Sequence, residues 1–178
     1  YLDAGAESEE QLRKWGIEAG TPAVFVGELI STSHPTRVFG KSIDNRAGWL
    51  AVLEVAERLS KKRPPADCVF VLTVEEEIGL RGAQMIAERI QPDVAIVTDV
   101  THCTHTPMMN KIENGDVAAG KGPGVTYGPA VQNNLLQRII NTSEAEKIPL
   151  QRMAASRFTG TDTDAFAYSN KGVASALI

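Results

Sequence analysis

The feature that most constrains the fold is an unbroken apolar run that ends in three acids. Residues 68–74 read Cys-Val-Phe-Val-Leu-Thr-Val, and Glu75, Glu76 and Glu77 follow directly, before Ile78-Gly79-Leu80-Arg81-Gly82. A continuous apolar run, rather than an alternating one, is what a strand covered on both faces requires. Consecutive carboxylates repel one another and are costly to desolvate, so they suit neither a strand nor a core. In an open α/β sheet the carboxyl ends of the strands form the edge where ligands bind. The run therefore predicts a central parallel strand whose exit holds a metal or an acid–base pair.

The rest of the chain fits that expectation from Ser42 onward. Asp44-Asn45 introduces a helix over about 47–60, with Leu50, Leu53, Ala56 and Leu59 as its buried stripe. A helix over about 80–90 follows the acids, with Ala83, Ile86, Ala87 and Ile90 turned inward, and a strand over 94–98 closes on Asp99. Residues 101–124 read as loop. An edge strand at 125–127, a helix at 133–147, a strand at 149–155, a short helix at 163–170 and a strand at 173–178 complete the order. Helices alternating with strands predict an α/β fold with a mainly parallel sheet flanked by helices.

Residues 1–40 do not share that alternation and read as the tail of a separate small domain, leaving residues 41–178 as the α/β domain. Ser8-Glu9-Glu10-Gln11 is a capping box, Gly16 stops the helix it opens, residues 23–26 read as a strand and residues 27–40 as a loop or hairpin. The chain opens on Tyr1 and closes on an apolar strand, which reads as a fragment of a larger protein.

Composition excludes some functions. The chain is 43% hydrophobic and 22% charged, enough apolar material for a real core, and its net charge of −4 carries no basic stripe for nucleic acid or an anionic membrane. No apolar run is long enough to span a bilayer. The two cysteines, Cys68 and Cys103, form no Cys-x-x-Cys pair and read as reduced thiols of a cytoplasmic protein.

Three acidic positions share the sheet edge: Asp44 before a helix, Glu76 and Glu77 after one strand, and Asp99 after the next. Each has a plainer reading, as a helix cap, a solvated helix start or a turn residue. Together they can hold divalent cations, with an unligated Glu left to take a proton from water. His102 and His105, flanking Cys103, are nitrogen donors of the zinc-ligand type, but their spacing matches no closed zinc site.

Ser42-Ile43-Asp44-Asn45-Arg46-Ala47-Gly48, the Val74–Gly82 segment and Thr98-Asp99-Val100 together resemble the tetrahedral metalloaminopeptidases. These are cobalt- or zinc-dependent glutamyl/leucyl aminopeptidases, some carrying an older endoglucanase label. Asp3-Ala4-Gly5-Ala6, Gly16-Ile17, Gly120-Lys121-Gly122-Pro123 and Gly160-Thr161-Asp162 fit the same pattern in order.

The resemblance implies a zinc-peptidase-like α/β catalytic domain with two divalent metal ions, zinc or cobalt. It makes Asp44 the bridging ligand, Glu77 and Asp99 ligands of one metal each, and Glu76 the general base and acid. It also implies a cis peptide between Asp44 and Asn45, and sets Gly160, Thr161 and Asp162 near the substrate. Residues 1–40 become the last part of an inserted β-rich dimerisation domain and the return from it. The partners implied are a peptide substrate and further copies of the chain, a dimer-based homo-oligomer that could build a dodecamer. The pattern also needs two histidines, one before Tyr1 and one after Ile178, so this stretch alone is expected to bind metal weakly and to be inactive. The competing expectations are a glycoside hydrolase using two carboxylates and no metal, and a non-catalytic assembly fragment.

Overall fold

The structure, a computed structural model, describes residues 2–178. The chain forms two compact units, one ending at Ser42 and the other running from Ile43 to Ile178.

In the first unit, helix α1 (Glu9–Lys14) opens at Ser8, whose hydroxyl accepts from the Gln11 backbone N–H at 3.2 Å. The Gln11 side chain reaches back one residue further than in a capping box, accepting from the Glu7 N–H at 2.8 Å. The helix ends in a Schellman motif: the Gly16 N–H donates to Arg13 O and the Ile17 N–H to Leu12 O, each at 3.0 Å, with Gly16 at φ +74°. Strands β1 (Ile30–Ser31) and β2 (Val38–Phe39) then pair antiparallel, which resolves the loop-or-hairpin segment as a hairpin. The strand expected at residues 23–26 does not form. Those residues enter no ladder, and Val24, Phe25 and Val26 stay exposed. An apolar run becomes a strand only where a second strand offers it hydrogen bonds.

In the second unit, helix α2 (Ile43–Lys61) begins with a break: Asp44 and Asn45 leave helical geometry, and the peptide between them is cis. Helix α3 (Arg81–Ile90), strand β3 (Val94–Val97), helix α4 (Lys111–Asn114), strand β4 (Gly124–Tyr127), helix α5 (Asn133–Ala145), strand β5 (Gln151–Ala154), helix α6 (Asp162–Ala167) and strand β6 (Ala174–Leu177) follow. Strand β3 pairs parallel with β6, with Val94 opposite Ala174, and β4 pairs parallel with β5, with Gly124 opposite Gln151. The Gln132 N–H donates to Ser175 O at 2.8 Å, tying the entry to α5 to the free side of β6. The fold is α/β, with parallel strand pairs flanked by helices, as expected.

Two apolar clusters hold this unit together. Ala83 and Ala87 of α3 pack with Ala95 of β3, Phe166 of α6 and Val173. Alanine on the helix face lets α3 lie close to the strand. Val125 of β4, Val131, Leu136 and Ile140 of α5 form the second cluster, with Leu150 and Ile178 against it.

Two expectations fail here. Residues 68–74 form no strand; Val69, Phe70, Leu72 and Val74 remain exposed, and no ladder runs beside them. Their hydrophobicity specifies what they would bury, not which strand would pair with them. The apolar stripe of α2 is likewise open, with Leu50 and Leu53 exposed and Gly48 its one buried residue among those described. No described layer packs on that face.

Candidate functional site

The site is assembled by three backbone turns. The first follows residues 68–74. The Gly79 and Leu80 N–H groups donate to Glu76 O at 3.1 and 3.0 Å, the Arg81 N–H to Glu75 O at 3.3 Å, and the Gly82 N–H to Val74 O at 3.0 Å. Glu75 and Leu80 take φ +58° and Gly79 φ +116°, so the chain folds back on itself within seven residues. Gly82 is required by contact: a Cβ there would lie 2.4 Å from Val74 O and 2.7 Å from Val74 N. Gly79 and Gly82 thus explain the spacing after the acids. This turn places Glu76 half-buried and Glu77 exposed, while Glu75 faces away toward Arg81 at 3.7 Å.

The second turn is the break in α2. Asn45 Nδ2 donates to Thr98 O at 2.9 Å, and Asn45 Oδ1 accepts from the Gly48 N–H at 2.9 Å. Thr98 Oγ1 donates back to Gly48 O at 3.4 Å. These bonds join the residue after Asp44 to the residue before Asp99. Asp99 itself is held at the end of the β3–β6 ladder, its N–H donating to Ile178 O at 3.0 Å, while its Oδ1 accepts from the Val100 N–H at 2.8 Å.

The third is the entry to α6. Thr161 Oγ1 accepts from the Thr163 N–H at 3.2 Å, and Asp164 accepts from the backbone N–H groups of Thr159 and Gly160 at 3.2 and 2.9 Å. Asp164 is therefore a structural cap of the Gly160 turn, where Gly160 has φ +75°. Asp162 is only 7% exposed. Its Oδ2 accepts from Thr73 Oγ1, which anchors α6 to the end of residues 68–74, and its Oδ1 has no hydrogen-bond partner.

The electrostatics of the three turns are coupled. Glu76 is pushed up from 4.5 to about 7, first by burial and then by the charges of Asp99, Asp162, Glu77 and Asp44. Burial also raises Asp99; the Val100 N–H opposes this, while Asp44, Asp162 and Glu77 add to it. Burial raises Asp162, and the Thr73 hydroxyl opposes that shift. Every charged group acting on Glu76 and Asp99 is a carboxylate. Clustered acids without a basic partner, one of them buried with an unpaired oxygen, suit a bound cation.

The structure thus brings Asp44, Glu76, Glu77, Asp99 and Asp162 into one electrostatic neighbourhood. Among the described residues, however, no three His, Cys, Asp or Glu side chains close into a group that could itself ligate a metal. The histidines do not join them. His105 Nε2 lies 2.6 Å from Asp116 Oδ1, and Lys111 Nζ lies 2.9 Å from both partners, forming a surface cluster on the 101–116 segment. Lys111 and His105 hold the Asp116 carboxyl below its ordinary value. His102 is exposed, and His34 bonds locally to Thr36. Thr73, Asn45 and Thr98 position the acids, and in the sequence only the threonine that interrupts the apolar run at position 73 signals it.

The whole chain, residues 1–178, matches the model of the M42 glutamyl aminopeptidase family. A lysyl aminopeptidase of Pyrococcus furiosus is 33% identical over 177 residues, 99% of this chain and 49% of the relative. An aminopeptidase of the archaeon Desulfurococcus kamchatkensis superposes with a TM-score of 0.85 at 32% identity, covering 99% of this chain and 49% of that one. The PhTET1-12s structure, a dodecamer, gives a TM-score of 0.79 at 26% identity, over 98% of this chain and 51% of that one. The chain spans about half the length of the curated relative it matches. With a family match over every residue and a relative one-third identical across nearly all of it, the chain belongs to the M42 glutamyl aminopeptidase family.

Proposed function

We propose that this chain is part of a metal-dependent aminopeptidase that removes the N-terminal residue from peptides. Family membership supports the reaction class, and the carboxylate cluster supports the chemistry. The observation that carries the reading is the place of Glu76: a half-buried carboxyl inside the tight turn after residues 68–74, in the same electrostatic neighbourhood as Asp44, Glu77, Asp99 and Asp162. A carboxyl set beside the ligand acids without being one of them is free to exchange a proton with water.

On this reading Asp44, Glu77 and Asp99 are the oxygen donors that would hold divalent cations, although by themselves they do not close into a group that could ligate one. The set is a partial one, since three carboxylates supply no nitrogen donor. Bound zinc or cobalt would supply a lowered water pKa and a polarised scissile carbonyl. Glu76 takes the proton from the attacking water and returns it to the departing amine. Asn45, through Thr98 O and the Gly48 N–H, fixes the turn that carries Asp44. Thr73 fixes Asp162, and the Gly160-Thr161-Asp162 turn borders the substrate.

Residues 1–40 are, on this reading, the end of an inserted dimerisation domain and the return from it. The dodecameric relative supports a homo-oligomer, and its building from dimers is part of this proposal. No described helix is long and apolar enough to cross a membrane.

The test is Glu76→Gln in the full-length enzyme loaded with zinc or cobalt. Turnover of short peptides is abolished while metal content, read by elemental analysis, is unchanged. Retained turnover would overturn the assignment of Glu76. A wild-type enzyme whose peptide hydrolysis survives exhaustive chelation would overturn the metal-dependent reading.

A further inference from the structure

A cavity of about 840 Å³ runs from Glu76 and Glu77 along the groove between α3 and α6. That volume lies in the range of small-ligand sites. Gln84 and Glu88 of α3 line one wall, and Ala165, Tyr168 and Ser169, from α6 and the turn after it, line the other. The separation of the two helices therefore sets the width of the cavity. Behind it the helices meet through Ala83, Ala87 and Phe166. Apolar contact of this kind is non-directional, so it holds the helices together without fixing how far one slides past the other.

A directional tie comes from Asn170, three residues past α6. Its Nδ2 donates to Ala87 O of α3 at 3.1 Å, and its backbone N–H donates to Glu88 Oε1 at 3.3 Å. The same Nδ2 donates to Ser169 Oγ at 3.3 Å, and that hydroxyl donates to Phe166 O at 2.9 Å. Asn170 thus bonds to a lining residue on each wall, Glu88 and Ser169. Among the described residues, these are the only hydrogen bonds that cross from α3 to the α6 side of the cavity. The residue type suits the position twice over. Asn170 has φ +50°, where Asn is better tolerated than most side chains, and its amide carries two N–H donors for two acceptors. Ala87 O also accepts from the Gln91 N–H at 2.9 Å, so the tie grips α3 where the helix ends.

Resting on the aminopeptidase reading, we infer that Asn170 is a positioning residue that sets the width of this cavity, and with it the discrimination by side-chain size next to the scissile bond. Asn170 touches no substrate. It acts through Ala87 and Glu88 on one wall and Ser169 on the other. A gap of about 0.5–1 Å already forfeits a large part of the dispersion attraction between packed atoms. A wall free to shift therefore weakens the hold on a branched side chain, whereas an alanine side chain is too short to bridge the walls and loses little. The effect falls on substrate binding rather than on proton transfer. Glu76 is held elsewhere, by the turn closed at Gly82, and the Thr73–Asp162 contact anchors the opposite end of α6.

The experiment uses the metal-loaded full-length enzyme and three peptides, Ala-Ala, Leu-Ala and Ala-Leu. In the wild type at least one leucine peptide has a lower KM than Ala-Ala. Asn170→Gly keeps the left-handed backbone and the N–H bond to Glu88 but deletes the side-chain bonds. It raises KM for that leucine peptide about threefold to tenfold, the worth of one hydrogen bond, with kcat and the Ala-Ala constants unchanged. Hydrogen exchange gives a readout independent of turnover: the Gln91 amide, which shares the Ala87 carbonyl, exchanges faster in the variant. Asn170→Asp keeps the shape but sets a carboxylate against Ala87 O, so it moves KM in the same direction and carries the test if the glycine variant does not fold. A wild type with equal KM on the three peptides, a KM that does not move in either variant, or a loss by the same factor on all three peptides overturns the inference while leaving the aminopeptidase reading intact. A wild type inactive on all three overturns that reading, and this one with it.

Discussion

Asn45 Nδ2 donates to the Thr98 carbonyl at 2.9 Å, across 53 positions of sequence, and this bond couples the turn that carries Asp44 to the strand end that carries Asp99. The same side chain accepts from the Gly48 N–H at 2.9 Å, so it closes the break at the start of α2 as well. Removing it leaves a partly buried carbonyl and an N–H without their partner. Asn45→Ala is expected to cost about 1–3 kcal/mol of stability, the penalty for unsatisfied polar groups. It should also weaken metal binding by the full-length enzyme, because Asp44 and Asp99 lose their common brace. Denaturant melts and calorimetric metal titration check the two effects separately, and an unchanged metal affinity would remove Asn45 from the site.

The turn after the acids makes a second prediction. A Cβ on Gly82 would lie 2.4 Å from Val74 O, and the obstructing atoms are backbone, which cannot rotate away. Gly82→Ala must therefore open the hydrogen bond from the Gly82 N–H to Val74 O and displace Glu76 and Glu77 with it. A loss of about 2–4 kcal/mol is expected, the range for forced backbone shifts and buried clashes. Gly79→Ala meets no atom within 4 Å, and its penalty comes only from φ +116°. Thermal melts of the two variants should rank Gly82→Ala as the more damaging.

How much of this could be read from residues alone differs by feature. The acids were legible because Glu75-Glu76-Glu77 after an apolar run violates what either a strand or a core tolerates. Asp99 was legible because it closes the apolar strand expected at 94–98. The groups that aim them were not, because Asn45, Thr98 and Thr73 act through contacts 53 and 89 positions distant, which no local period records. Residues 68–74 and the Leu50–Leu53 face of α2 show the opposite failure. Their hydrophobicity is plain, but it states a demand for burial that the described chain does not meet. Gly48 was read only as part of a motif; its reason is the Asn45 side chain, which a Cβ would approach to 2.4 Å.

The raised carboxyls set the pH dependence of the metal-free chain. Glu76, Asp99 and Asp162 bind protons more tightly folded than unfolded. Between the ordinary carboxylate range and their raised values, the folded state holds protons that the unfolded state has released. Stability therefore falls as pH rises, from about 4.5 to about 7 for Glu76, and is fully present only below that window. In a chelator, the melting temperature should be lower at pH 8 than at pH 5.5. A divalent cation should remove that slope by stabilising the ionised forms. A metal-free chain equally stable at both pH values would contradict the coupling among these acids.

Asp162 gives the sharpest test of that coupling in the working enzyme. It lies nearly buried, accepts from Thr73 through one oxygen, leaves the other unpaired, and its charge raises Glu76. Asp162→Asn keeps the shape, and through its side-chain oxygen the acceptor for Thr73, but it removes the charge. With one fewer anion nearby, Glu76 loses its proton at lower pH. If Glu76 acts as the base, the acidic limb of the kcat/KM profile in the full-length enzyme should move toward lower pH. Thr73→Val leaves the charge in place, so the hydroxyl that lowers Asp162 is lost while Asp162 still acts on Glu76. A fall in turnover with the limb unmoved in both variants would mark Asp162 as an anchor for α6 alone; a limb that shifts only in Asp162→Asn would establish that its charge reaches Glu76.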